Sequence, residues 1–205
     1  MLSLAIHPDN PEPRKIRHAI EVLDAGGVAF YPTDTIYALG CALDAKKSVE
    51  RLYRLKRMNE KQPLALICAD LSELSRYAIV TDFAYRMMRR ILPGPYTVVL
   101  EATREVPRLL LDRRRTIGIR VPMSPICESL VRALGRPLLT TSAIPPGSER
   151  PCLDVDEGKT AWPSGVDLFL DGGSVPGEMS TVVSMIGDEI EVIREGLGPI
   201  EGVLV

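Results

Sequence analysis

The sequence predicts an α/β fold: a single-domain twisted mixed β-sheet flanked by helices. Three observations carry that prediction. Apolar runs of strand length alternate with segments of helical periodicity through most of the chain. Hairpin-like runs crowd its last quarter, which calls for antiparallel as well as parallel pairing. At 205 residues, with 45% hydrophobic and 25% charged side chains, the chain can bury one sizeable core.

The elements follow in order. Pro13 to Ala25 carries Ile16, Ile20 and Leu23 at helical spacing and stops at Gly26. Val28 to Tyr31 is a short buried strand closed by Pro32, which cannot donate to a ladder. Thr33, Asp34 and Thr35 come next, before the apolar Ile36 and Leu39. Small polar groups in that position are a capped turn or the floor of a binding site. Lys46 to about Met58 reads as a helix with Val49, Leu52, Tyr53 and Lys56 on one side. Leu64 to Cys68 is a strand buried on both faces, and Asp70 to Tyr77 a short helix. Thr81 or Asp82 caps a helix presenting Phe83, Met87 and Ile91, stopped by Pro93-Gly94-Pro95. Tyr96 to Ala102 and Ile117 to Val121 are strands. Ser124 then caps a helix that begins with Pro125 and ends at Gly135. Leu138 to Thr141 is strand-like. Arg150 to Gly165, rich in Pro, Gly and acid, is expected to be a surface connection. Val166 to Leu170, Thr181 to Ile186 and Glu189 to Arg194 are three late strands, the last two joined by Gly187-Asp188.

Composition excludes several chemistries. Cys41, Cys68, Cys127 and Cys152 are scattered without a C-x-x-C pair, as expected of structural thiols in a reducing compartment. The two histidines, His7 and His18, both lie ahead of the first expected strand, so neither a His-based triad nor a zinc site is expected. No apolar run is long enough to span a membrane and no secretory signal is visible, so a cytoplasmic location is expected. Net charge is −2, yet Met1 to Arg150 carries 23 Lys/Arg against 16 Asp/Glu, and Pro151 to Val205 carries 2 against 11. A positive face for phosphates, or simply a solvated surface, fits that asymmetry.

One pattern recurs. Apolar runs end in small hydroxyls or an arginine: Thr33 and Thr35, Arg120, Thr140 to Ser142, Ser180 and Thr181, Arg194. Ligands of open α/β sheets gather at the carboxyl ends of strands, so one shared polar pocket is expected there. Arg120, flanked by Ile119 and Val121, must pair with an acid, hold a ligand carboxylate or phosphate, or face water from an edge strand. Arg51, Arg54, Lys56, Arg57 and Lys61, and separately Arg113-Arg114-Arg115, read most simply as solvated surface.

An ordered set of motifs then resembles the YrdC-like family of threonylcarbamoyl-AMP synthases and, within it, the YciO branch. The set comprises Tyr31-Pro32-Thr33-Asp34-Thr35 with Tyr37-Ala38-Leu39-Gly40, Lys56-Arg57 ahead of Pro63-Leu64, and Pro93-Gly94-Pro95-Tyr96-Thr97. It continues with Thr116-Ile117-Gly118-Ile119-Arg120-Val121-Pro122, Thr141-Ser142-Ala143, Ser180-Thr181-Val182-Val183 and Ile193-Arg194-Glu195-Gly196. The likeness runs from about Ala19 to Gly198. It implies a single YrdC-like domain over 1–205, with its core at about 13–200 and a positively charged concave surface. It also implies condensation of L-threonine, bicarbonate and ATP to threonylcarbamoyl-adenylate and pyrophosphate, for modification of tRNA adenosine 37. By position, Thr35, Arg120, Thr140 and Ser180 would contact threonine, and Lys56, Arg57, Thr116, Ser142 and Arg194 would hold ATP. ATP enters as a substrate, with Mg²⁺ as its expected companion. No catalytic Ser–His pair is required, because the threonine nitrogen is the nucleophile and fixed positive charge assembles three anions. The alternatives are a protein that binds double-stranded RNA or tRNA through its basic face, and a hydrolase of a related acyl-adenylate. Where the family has Ser-Ala-Asn-x-Ser-Gly, this chain has Ser142-Ala143-Ile144-Pro145-Pro146-Gly147, without the amide and the second hydroxyl.

Overall fold

The computed structural model describes residues 1–58, 63–111 and 114–203. Its elements begin with β1 (Leu2–Ala5), α1 (Pro13–Asp24), β2 (Ala29–Pro32), β3 (Tyr37–Ala42) and α2 (Lys46–Lys56). Then come β4 (Ala65–Ile67), α3 (Leu74–Tyr77), α4 (Asp82–Ile91), β5 (Tyr96–Glu101) and β6 (Thr116–Arg120). The chain ends with α5 (Pro125–Leu134), β7 (Leu138–Ser142), α6 (Val155–Ala161), β8 (Leu168–Asp171), β9 (Thr181–Ser184) and β10 (Glu191–Arg194). The ten strands among the described residues join one sheet in the order β1-β8-β2-β3-β7-β4-β6-β5-β9-β10. β8 runs parallel to both of its neighbours, as do the pairs β4–β6 and β5–β9; the remaining pairs are antiparallel. Antiparallel neighbours in sequence occur early as well as late, at β2–β3, β5–β6 and β9–β10, and crossovers supply the parallel pairs.

Helix starts obey capping chemistry. The Ser124 hydroxyl accepts the Cys127 N–H at the head of α5, with Pro125 in the first turn, and Thr81 does the same for Ala84 in α4. Gly135 ends α5 in the left-handed region, at φ 67°.

Alternation along the strands builds two cores. On one face Phe30, Leu39, Leu66 and Leu139 pack with Leu52 of α2, Met88 of α4 and Val155 of α6. On the other, Tyr31, Ala42, Ile67 and Leu138 lie beneath Ile16 and Leu23 of α1 and Ile126 and Leu130 of α5. That second cluster takes nothing from β5, β6 or β9, so the two helices cover one part of the face and leave the rest of it open.

The structure departs from the sequence expectations at four places. Tyr37 to Ala42, assigned to no element from sequence, is a strand fully buried on both faces, so its sequence shows no period-2 alternation. Residues 2–5 form an edge strand outside the expected core, so His7 follows the first strand. The stretch from Arg150 to Gly165 is not simply a surface connection. Asp154 caps α6 through the Glu157 N–H, and Trp162 behind it is 3% exposed, with its indole N–H on the Leu55 carbonyl. Gly158 lets this helix approach: a Cβ there would sit 2.5 Å from the Phe30 ring. The short helix from Asp70 divides into a 3₁₀ turn and α3. No helix among the described residues is long and apolar enough to cross a membrane.

Candidate functional site

The open part of the second face is a cavity of about 380 Å³. Its floor is set by register. Ala65 pairs with Gly118 on one side and Thr140 on the other, and Val99 pairs with Gly118. Alternation therefore turns Thr116, Gly118 and Arg120 of β6, Thr97 and Val99 of β5, and Thr140 and Ser142 of β7 to one side. Val182 and Ser184 of β9 extend the floor, and Ser180 and Arg194 form a wall. β4 and β6 run opposite to β5 and β7, so the site is a sheet face and not the collection of carboxyl-terminal strand ends expected from sequence. A mixed sheet sends those ends in both directions, and only side-chain facing gathers these groups.

Arg120 lies in an interior strand and is 7% exposed, which removes the edge-strand reading. Its Nη2 donates to Asp34 Oδ1 at 2.7 Å and to Thr35 Oγ1 at 2.9 Å. Its Nε is buried with no partner among the described residues. Arg194 is held by the Ser180 carbonyl, at 2.8 Å from Nη2 and 3.3 Å from Nε. Burial, with the nearby Arg120 charge, holds its guanidinium below the usual arginine range. The Ser180 hydroxyl meets Thr97 Oγ1 at 2.8 Å. Gly196 keeps this wall close, since a Cβ there would fall 2.2 Å from the Met179 carbonyl. Thr140 accepts the Tyr31 hydroxyl at 2.7 Å, and burial raises that phenol well above its usual range, so it stays a donor.

The nine residues singled out in the sequence divide. Arg120, Thr140, Ser180, Thr116, Ser142 and Arg194 line the cavity together. Thr35 is fully buried behind Arg120. Lys56 turns away from the cavity and donates to the carbonyls of Ser142 (2.8 Å) and Ile144, and burial pushes its ammonium down to about 8. It braces the loop after β7 from outside. Arg57 is exposed, at φ 49° in the left-handed cap of α2. Of the surface candidates, Arg51 pairs with Asp167 and the Gly26 carbonyl, and Arg114 lines the cavity. Arg54 is exposed, and Lys61 and Arg113 lie outside the described residues.

Sequence reasoning missed Asp34 as the partner of Arg120, Thr97 as the partner of Ser180, and Gly118. The signal for Asp34 was present, because an arginine in a strand demands an acid and Asp34 ends the first apolar run. Gly118 carried none: a Cβ there would meet Thr97 Cγ2 at 3.2 Å and Ala65 Cβ at 3.3 Å, which only register reveals. The cysteines are all free and buried, and burial pushes Cys41, Cys68 and Cys127 up to about 12 and Cys152 to about 11. They are inert thiols.

The chain is similar to several known proteins. The Sua5/YciO/YrdC family profile, described as telomere recombination, matches residues 21–196. YciO of Escherichia coli K12 is 45% identical over 197 residues, 96% of each chain. Its crystal structure superposes with a TM-score of 0.94 and covers 100% of both chains. A threonylcarbamoyl-AMP synthase from Halorhodospira halophila is 35% identical over 80% of this chain and 86% of its own. Sua5 of P. abyssi complexed with L-threonine has a TM-score of 0.91 at 25% identity, over 99% of this chain and 60% of that one.

Proposed function

The chain belongs to the Sua5/YciO/YrdC family, and from that premise we propose that it makes threonylcarbamoyl-adenylate from L-threonine, bicarbonate and ATP. In this reaction the threonine ammonium first gives up a proton to solvent, and its nitrogen then bonds to the bicarbonate carbon with loss of water. The carbamate oxygen then attacks the α-phosphorus of ATP, and the bond to pyrophosphate breaks. Bicarbonate, the threonine carboxylate and the triphosphate are all anionic, and the cavity offers Arg114, Arg120 and Arg194. The observation that carries the reading is Arg120. It is a buried guanidinium clamped on one edge by Asp34 and Thr35, in the wall of a cavity sized for a small molecule. A carboxylate docked there would leave the amino group over the small-residue floor. The nucleotide would extend along the sheet face from Arg194, which lies near Arg120, toward Thr116 and Ser142. No group of three or more His, Cys, Asp or Glu suited to a metal occurs among the described residues. Mg²⁺ would therefore enter on the triphosphate, whose oxygens supply its ligands.

The test is pyrophosphate release from purified protein with ATP, L-threonine, bicarbonate and Mg²⁺, omitting each substrate in turn. Release that needs all three supports synthesis, and release indifferent to threonine overturns it. A second reading, binding of double-stranded RNA or tRNA, draws on the exposed Arg86 and Arg89 along α4. Its mark would be RNA affinity that falls steeply with salt and does not respond to threonine.

A further inference from the structure

We propose that Asp34 is a positioning residue for Arg120: it fixes the orientation of the guanidinium in the cavity wall, and it makes the site select by geometry instead of by charge. The proposal rests on the synthase reading only for the identity of that ligand.

Asp34 sits in the turn between β2 and β3, and its side chain is 7% exposed. One oxygen takes Arg120 Nη2, and the other takes the backbone N–H of Met123, just past β6, at 2.9 Å. The turn is thereby tied to the end of the strand that carries the arginine. Thr35 completes the clamp. The Thr33 hydroxyl donates to the Ile36 carbonyl at 2.6 Å, so the proton of Thr35 goes to Thr33 Oγ1, 3.0 Å away. Thr35 Oγ1 is left to accept from Arg120. This one-way chain leaves Thr35 no proton for a ligand, and it acts only through the arginine.

Two consequences follow. With Nη2 engaged twice, the guanidinium plane is set from the turn side, and a ligand in the cavity meets it in that one orientation. A carboxylate 2.7 Å from the guanidinium also offsets most of its distant field. Directed hydrogen bonding remains, which suits a carboxylate at one angle and gives little to a simple anion.

The experiment compares the full chain with its Asp34→Asn and Asp34→Ala variants. Calorimetry measures L-threonine, sulfate and ATP, and ¹⁵N NMR follows the Arg120 guanidinium, assigned with Arg120→Lys. Asp34→Asn keeps the side-chain shape, so folding is expected to survive where Asp34→Ala fails. Expected for Asp34→Asn are threonine affinity at least tenfold weaker, sulfate affinity at least threefold tighter, ATP affinity within twofold, and faster rotation of the Arg120 Nη groups. Threonine and sulfate moving in parallel, threonine binding tightened by the substitution, or unchanged Arg120 resonances would each overturn the proposal. If the unsubstituted protein binds no threonine, the synthase reading fails by itself. The sulfate and NMR results then still decide the role of Asp34.

Discussion

β4 and β7 each cross two regions of one sheet face. At one end Ile67 and Leu138 are fully buried under α1 and α5. Two residues along, the same face of the same strands presents Ala65 and Thr140 to the cavity. Nothing in the backbone distinguishes the halves. The difference is cover: where helices pack, the position must be apolar and large, and where none packs, small and polar groups persist. The seam is the hydrogen bond from Tyr31 to Thr140, with the ring in the covered core and the acceptor in the cavity wall. Stability and function therefore occupy one surface, and substitutions on either side of the seam should separate them.

The largest effect is expected at Arg120. Arg120→Ala leaves the Asp34 carboxylate buried and unpaired, costing about 3–5 kcal/mol in urea unfolding. Pyrophosphate release should drop at least a hundredfold, and activity that survives would unseat Arg120 from the site. Across the seam, Leu130→Ala should cost about 3 kcal/mol, with the threonine affinity of the folded protein unchanged. A matching loss of affinity would mean that the halves are coupled. On the seam itself, Thr140→Val leaves the Tyr31 hydroxyl without its acceptor, for a loss of about 1–3 kcal/mol together with weaker threonine binding by calorimetry.

The smallest effect concerns the brace behind the cavity. Lys56 has its folded pKa lowered to about 8 from an ordinary value of 10.5. Between those values the unfolded chain binds more protons than the folded one. Stability should therefore rise as pH passes upward through 8 and level off near 10.5. Lys56 is only half-buried, so the rise is on the order of 1 kcal/mol after solvent screening. Urea midpoints at pH 7, 8.5 and 10 for the protein and Lys56→Met check it, since the variant should lack the rise.

Legibility in the sequence differed by kind of residue. Helices with caps and stops, such as Pro125 to Leu134, were readable because their signals are local. β3 and α6 were not, because a strand buried on both faces shows no alternation and Trp162 becomes a core residue only through contact with Phe30. Among site residues, Arg120 stood out by its apolar flanks. Lys56 and Arg57 formed an equally plain basic pair, yet one braces a loop and the other is exposed.

By itself the sequence determined the α/β class, most strand and helix positions, and a family likeness spread over nearly the whole chain. Tertiary structure alone decided that the polar groups meet on a sheet face, that Asp34 clamps Arg120, and that Lys56 turns outward. The reason is the range of the forces involved. Capping, periodicity and turn chemistry act over a few residues, whereas strand register brings together partners as far apart as the 86 positions between Asp34 and Arg120.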